Sequence, residues 1–382
     1  MTSSLPALLP TYPPYPFPLL RGAGDRVFDA EGNAYLDFYG GHCVCATGHA
    51  HPRVAEAIAA QARELIFYST AARLPVRDAA AEALLAFAPT AMASAFFCNS
   101  GAEANENALK VAAKLTGRHS FVAFRGSFHG RTLLALSATD DPKLHHGYES
   151  LLAPVDFLPF GDGEALEQAD LGQAAAVIVE PIQSMAGVRT ADPAWFRALR
   201  KACDDAGALL IFDEVQTGFG RLGTPFAAQY YGVDPDLMSL AKGIASGVPM
   251  GALLMNEAVA ARLGTGDLGS TFGGGPLASA ALLATLEVIR EERLAERAAR
   301  LGQWIRDAVD PSVVTRVHGE GLLLGLRVPG RAKALKTFLQ DRRILVGGSH
   351  DPEVLRLMPP LTLTDDAVRA LLDAIRDFGG KG

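Results

Sequence analysis

Short unbroken apolar runs alternate along this chain with stretches whose apolar residues recur at helical spacing. The runs are ASAFFC at 93–98, SFVAF from 120, AAAVIV at 174–179, ALLIF at 208–212 and LMSLA at 237–241, each with the length of a buried strand. Helical patterns fall between them, at Pro52–Leu65, Val76–Phe87 and 99–115. Pro276 to Arg300 reads as one long amphipathic helix with charges laced along its later turns. After it come a helix at Gln303–Val309, strands near VTRVHG and LLLGLRV, a helix in RAKALKTFLQDR, a strand RILV and a last helix from Asp365. At the other end, RGAGDRVFDAEGNAYLDFYGG reads as a small β-meander with a turn at Asp29–Asn33, preceded by a proline-rich extended arm. Asp140 to Gly172 has little periodicity and reads as a connection.

Strands alternating with helices predict an α/β fold, a large domain with a mostly parallel central sheet flanked by helices, plus a smaller α+β C-terminal domain. The expected division is 1–47 for the arm and meander, part of the small lobe, 48–275 for the large domain, and 276–382 for the connecting helix and C-terminal domain. A chain of 382 residues has room for this. Half of its residues are hydrophobic and a fifth charged, and the net charge of −7 is spread out with no basic run, which argues against nucleic acid. The apolar stretches are too short and broken to cross a membrane, and the N-terminus lacks the basic segment of a secretory signal. A cytoplasmic protein is expected. Cys43, Cys45, Cys98 and Cys203 form no C-x-x-C pair and read as free thiols. His49 and His51, directly before Pro52, have no third ligand nearby; they read as a structural turn, and no metal is assigned.

The candidate chemistry lies between 205 and 245. The run at 208–212 delivers Asp213 and Glu214 to its C-terminal end, and the run at 237–241 ends on Lys242. In an open α/β sheet, ligands bind beyond the C-terminal ends of the strands. A carboxylate there can keep a pyridine nitrogen protonated while a lysine holds the cofactor's aldehyde as a Schiff base. A strand-end Asp is also an ordinary cap or ion-pair partner, and a lone Lys is ordinarily solvated, so spacing alone leaves both readings open. The same holds at Asn99-Ser100-Gly101, where a helix entry is either an anion cradle or a simple cap.

The string FDEVQTGFGR, followed by Ala241-Lys242-Gly243, resembles the signature of the class III (subgroup II) pyridoxal-phosphate-dependent aminotransferases. GHAHP at 48–52, SGAEANENALK from 100, FHGRT from 128, EPIQ from 180, GSTFGGGPLA from 269 and RLMPPL from 356 extend the resemblance from about Arg21 to Leu363. It implies fold type I, pyridoxal 5'-phosphate as cofactor, and a homodimer with an active site shared across the interface. Lys242 would be the Schiff-base lysine and Asp213 the partner of the ring nitrogen. Val215 would pack on one ring face, Phe128 would stack on the open face, and Gln216 would lie near the phenolic oxygen. Ser100, Gly101 and Ala102 would cradle the phosphate, Glu180 would support the site, and Thr271 would reach the phosphate of the neighbouring subunit's cofactor. Arg131, Ser270 and Arg356 would contact substrate, Arg131 at the far carboxylate and Arg356 at the α-carboxylate.

The implied reaction moves the δ-amino group of N-acetylornithine to 2-oxoglutarate. Ornithine, 4-aminobutyrate, N-succinylornithine or a lysine-pathway donor is the alternative within the family. Two carboxylate anchors favour transamination over a mutase, epimerase or decarboxylase, and the presence of both Lys242 and Asp213 argues against a non-catalytic binding protein. The chain departs from the family pattern at Ala102, where Thr is common, at Gly275, where Asn is usual, and at Ser184-Met185, where Gly-Glu is usual. In the ornithine and 4-aminobutyrate enzymes that glutamate masks an active-site arginine; Met185 cannot do so as an ion pair.

Overall fold

A computed structural model describes residues 7–380, so the first six residues of the proline-rich arm lie outside the described residues. The five apolar runs and two strands that the pattern did not mark, Gly251–Asn256 and Val155–Leu158, form one seven-stranded sheet, ordered Met92–Cys98, Gly251–Asn256, Leu237–Leu240, Leu209–Asp213, Ala174–Val179, Ser120–Phe124, Val155–Leu158. Gly251–Asn256 is antiparallel to both neighbours; the remaining pairs are parallel. Every residue of Ala174–Val179 is buried, as expected of a strand covered on both faces. The other strands run one way, so the segments following Cys98, Phe124, Val179, Asp213 and Leu240 all emerge along one edge.

Two further sheets flank this one. Leu19–Ala23, Arg26–Asp29 and Ala34–Asp37 form the expected meander, and Ile344–Leu345 from the C-terminal part joins it in parallel to Ala34–Asp37. Arg316–Glu320, Leu323–Arg327 and Val354–Leu357 form the third sheet. Among the described residues, no helix is long and apolar enough to cross a membrane. All four cysteines are free thiols.

Three sequence expectations need correction. The single helix expected from Pro276 to Arg300 is two, Pro276–Glu291 and Leu294–Ala308, separated by Arg293 in a left-handed conformation with φ 53°. The helix expected at Gln303–Val309 is the end of the second. The connection at 140–172 contains the sheet's edge strand Val155–Leu158 and the helix Gly163–Gln168.

His49 ties the meander to the main body. Its Nε2 lies 2.7 Å from Asp37 Oδ2, and its backbone pairs with Gly24. Burial opposes the imidazolium, but Asp37 and Cys45 outweigh it and raise the His49 pKa from 6.5 to about 10. A folded pKa above the unfolded one stabilises fully below about pH 6.5, and that stability fades as pH climbs toward 10. His49→Gln is therefore expected to lower the melting temperature by roughly 5 °C at pH 6, with the gap closing by pH 10. A gap independent of pH in paired thermal melts would refute the ion pair.

Candidate active site

The strand edge opens into a cavity of about 330 Å³, within the range of small-molecule sites. Gly101, Ala102, Phe128, Arg131, Glu180, Asp213, Val215, Gln216 and Lys242 line it together, although they come from five separate strand ends. Asp213 and Glu214, adjacent in sequence, take opposite roles. Glu214 is buried away from the cavity and accepts the N–H groups of Ala227 and Ala228 and the Thr217 hydroxyl, which caps the helix Ala227–Tyr231. Burial raises its pKa to about 7 against those bonds.

Asp213 faces the cavity on a built support. Its Oδ2 accepts Asn105 Nδ2 at 2.7 Å and lies 2.8 Å from His129 Nδ1; its Oδ1 accepts the Val215 N–H at 3.1 Å. A carboxylate only accepts, so His129 carries its proton on Nδ1. Ser239, the register partner of Asp213 on the next strand, donates to Asn105 Oδ1 and fixes that amide. These bonds fill Oδ2 and leave a lone pair of Oδ1 free for a ligand N–H. Asn105, His129 and Ser239 went unrecognised in sequence because they lie 108, 84 and 26 positions from Asp213. The His of FHGRT was the one available signal.

Lys242 begins a 3₁₀ turn, Lys242–Ala245, in a left-handed backbone conformation with φ 49°, which costs a side-chain-bearing residue roughly 1 kcal/mol. Burial holds its pKa below the usual lysine value against the pull of Asp213. Glu180 is buried beside it and accepts the Phe128 N–H at 2.8 Å; burial raises its pKa, with His129 opposing and Asp213 adding.

Ser100 caps the helix Gly101–Thr116 by accepting the Glu103 N–H, so its hydroxyl serves the fold while the helix N-terminus meets the cavity at Gly101 and Ala102. The backbone there is closely fitted. A Cβ on Gly101 would lie 2.8 Å from Val215 Cγ2, and one on Gly130, at φ 137°, would lie 2.7 Å from Ala102 Cβ.

The two arginines lie at different depths. Arg131 is exposed at the rim, 3.4 Å from the hydroxyl of Tyr12, an arm residue that also lines the cavity and that carried no sequence signal. Arg356 is 3% exposed, donating from Nε to Gly348 O and from Nη1 to Ser184 Oγ at 3.0 Å. Ser270 and Thr271 are not brought into the cavity of their own chain. Ser270 Oγ accepts the Gly273 N–H and an Asn99 Nδ2–H in a neighbouring depression, and Thr271 is exposed on the same loop.

Residues 10–378 match the family model for class-III aminotransferases. The chain belongs to this family. As a class-III aminotransferase it resembles the acetylornithine aminotransferases of Methanosarcina acetivorans, at 42% identity over 96% of this chain and 93% of that one, and of Methanopyrus kandleri, at 44% identity over 97% of each. In structure it resembles the ornithine aminotransferase of Toxoplasma gondii ME49, with a TM-score of 0.92 and 31% identity covering 98% of this chain and 93% of that one. It also resembles the acetylornithine aminotransferase of Elizabethkingia anophelis, with a TM-score of 0.85 and 31% identity covering 97% and 96%. The central sheet of mostly parallel strands with flanking helices is that of fold type I, and the aminotransferase is pyridoxal-phosphate-dependent.

The cavity suits that cofactor on its own terms. Asp213 offers a free acceptor site, Gly101 and Ala102 offer a helix N-terminus, and Lys242 is a half-buried amine. The buried Gln216 Oε1 has no partner among the described residues, which leaves that side-chain amide available to a ligand.

Proposed function

We propose that the class-III aminotransferase moves the δ-amino group of N-acetylornithine to 2-oxoglutarate, with Asp213, Lys242 and the two arginines in separate roles. One observation carries the substrate assignment: among the described residues, neither Arg131, on the cavity rim, nor Arg356, which is buried outside the lining but close enough to Lys242 and Glu180 to act on their charge, has an ion-pair partner. Two such guanidiniums suit a dicarboxylate such as 2-oxoglutarate. They suit N-acetylornithine through its single carboxylate, which lies far from the reacting amine and belongs at the rim, on Arg131. The names of the relatives at 42% and 44% identity support the same donor.

In this reading Lys242 would carry the cofactor's aldehyde and Asp213 would hold its ring nitrogen protonated. Val215 and Phe128 would flank the ring, Gln216 would meet the phenolic oxygen, and Gly101 and Ala102, with Ser100 shaping the turn, would hold the phosphate. Bound there, pyridoxal phosphate supplies an electron-withdrawing ring that accepts the electron pair released at the substrate's amine-bearing carbon. Once the substrate's amine has displaced it from the aldehyde, Lys242 Nζ would be free to take the proton from that carbon, a task its lowered pKa suits because the base must be neutral. Glu180 fixes the Phe128 backbone.

A second copy of the chain completes this proposal. Leu65, Ile66, Phe67 and Tyr68 form an exposed apolar stretch, and Phe67 packs 5.1 Å from the 64%-exposed Phe272, next to Ser270 and Thr271. A homodimer burying this patch would give Thr271 to the partner's phosphate site and Ser270 to its substrate.

The test is a half-reaction in which N-acetylornithine, ornithine, 4-aminobutyrate and N-succinylornithine are mixed separately with cofactor-loaded enzyme. N-acetylornithine is expected to bleach the visible absorption fastest. If none bleaches it while glutamate does, the donor is wrong and the aminotransferase stands. Arg131→Ala is expected to raise KM at least about tenfold for both N-acetylornithine and 2-oxoglutarate. A rise for only one would mean that the far carboxylate binds elsewhere.

A further inference from the structure

We propose that Ser184 is a positioning residue that holds Arg356 in place without neutralising it, so that its guanidinium stays open to a carboxylate on the substrate's amine-bearing carbon. This rests on the reading of Arg356 as a carboxylate site. A buried cation is costly unless paired, and paired arginines normally meet a carboxylate. Among the described residues, Arg356 donates its side-chain hydrogen bonds only to neutral acceptors, Gly348 O and Ser184 Oγ. The Ser184 hydroxyl points its hydrogen at Met358 Sδ, 3.7 Å away, and therefore turns a lone pair toward Arg356.

The segment behind Ser184 is braced on three sides. Gln183 and Arg189 exchange both backbone hydrogen bonds, Val188 N–H donates to Ser184 O, and Met185 O accepts the His350 N–H. Ser184 is fully buried, so its hydroxyl has one environment. Burial lowers the pKa of Arg356, with Tyr39, Cys43 and Glu180 opposing, the direction expected of a guanidinium taken out of water.

A neutral strut has a consequence for selectivity. Substrates with a carboxylate on the reacting carbon, such as glutamate, compensate Arg356 on binding. Amines without one leave it uncompensated. The glutamate half-reaction is therefore the tightly bound one, and Ser184 contributes to it alone.

The test titrates glutarate, a non-reacting dicarboxylate, into the holoenzyme by calorimetry, alongside steady-state kinetics. Ser184→Ala is expected to weaken glutarate about tenfold, the size of one hydrogen bond to a charged group. It should raise KM for glutamate by a similar factor at nearly constant kcat, leave KM for N-acetylornithine within about twofold, and be rescued by Ser184→Thr, which restores the acceptor. Unchanged glutarate binding in Ser184→Ala, or equal rises in both KM values, would overturn the positioning role. If Arg356→Lys also leaves glutarate binding unchanged, Arg356 is not the carboxylate site and the underlying reading fails with it.

Discussion

Lys242→Ala is expected to cut turnover by roughly 10⁴-fold or more while the protein stays folded. The substitution removes the proposed proton-transfer base and the proposed carrier of the cofactor's aldehyde in one step. Its structural cost is small. Lys242 stands at φ 49°, but alanine meets the same backbone penalty as lysine, so no new strain enters. The lost ammonium was itself opposed by burial. Steady-state rates, the visible spectrum and gel filtration on the same sample separate the outcomes. The variant should keep the elution volume of the wild type and lose the lysine-dependent absorption. Normal turnover would overturn the assignment of Lys242.

The second large effect is expected at Asp213. Asp213→Asn keeps the shape but should lower kcat about 10³-fold, the scale of losing a preorganised charge at the reacting centre. The carboxylate is surrounded by donors, Asn105 Nδ2 and His129 Nδ1 on one oxygen and the Val215 N–H on the other. An amide has only one accepting oxygen, so its NH₂ must confront at least one of these donors. Two further changes should follow: weaker retention of cofactor on dialysis and a lower melting temperature. An Asn variant that kept both activity and cofactor would remove Asp213 from the role of ring-nitrogen partner. Asn105→Ala offers a milder comparison, since it frees Asp213 without discharging it.

Much of this site was legible because its residues sit where short apolar runs end. Val179 precedes Glu180, Phe212 precedes Asp213, and a four-residue strand ends just before Ala241-Lys242. What stayed hidden had physical reasons. Val155–Leu158 is an edge strand that is only partly buried, so it never needed a long apolar run. Gly251–Asn256 has five buried residues of six, but it opens on a glycine just after Gly247-Val248-Pro249, so its start merges with a turn signal. The helix break at Arg293 has no proline or glycine to announce it. The signal was a change of phase, because buried Ile289 is followed by Leu294, Ala298 and Leu301, a five-residue step that no continuous helical stripe takes.

Supports assembled across long sequence separations, such as Asn105 and His129 under Asp213, leave no local pattern to find. Some signature residues proved structural. The buried Arg221 of FGR donates to Leu322 O and Pro359 O, joining the strand-end loop to the C-terminal part of the chain.

The antiparallel strand Gly251–Asn256 bears on how the molecule assembles. Parallel neighbours need a crossover before they can pair, whereas Leu237–Leu240 and Gly251–Asn256 are joined at the same edge by the turn at 241–250, which holds the 3₁₀ segment Lys242–Ala245. That turn contains Lys242. The reactive lysine thus belongs to the most local pairing of the large sheet, which has the least loop-closure entropy to overcome. Pulse-labelled hydrogen exchange during refolding should show the amides of Leu237–Leu240 and Ala252–Met255 protected together, ahead of Ala174–Val179.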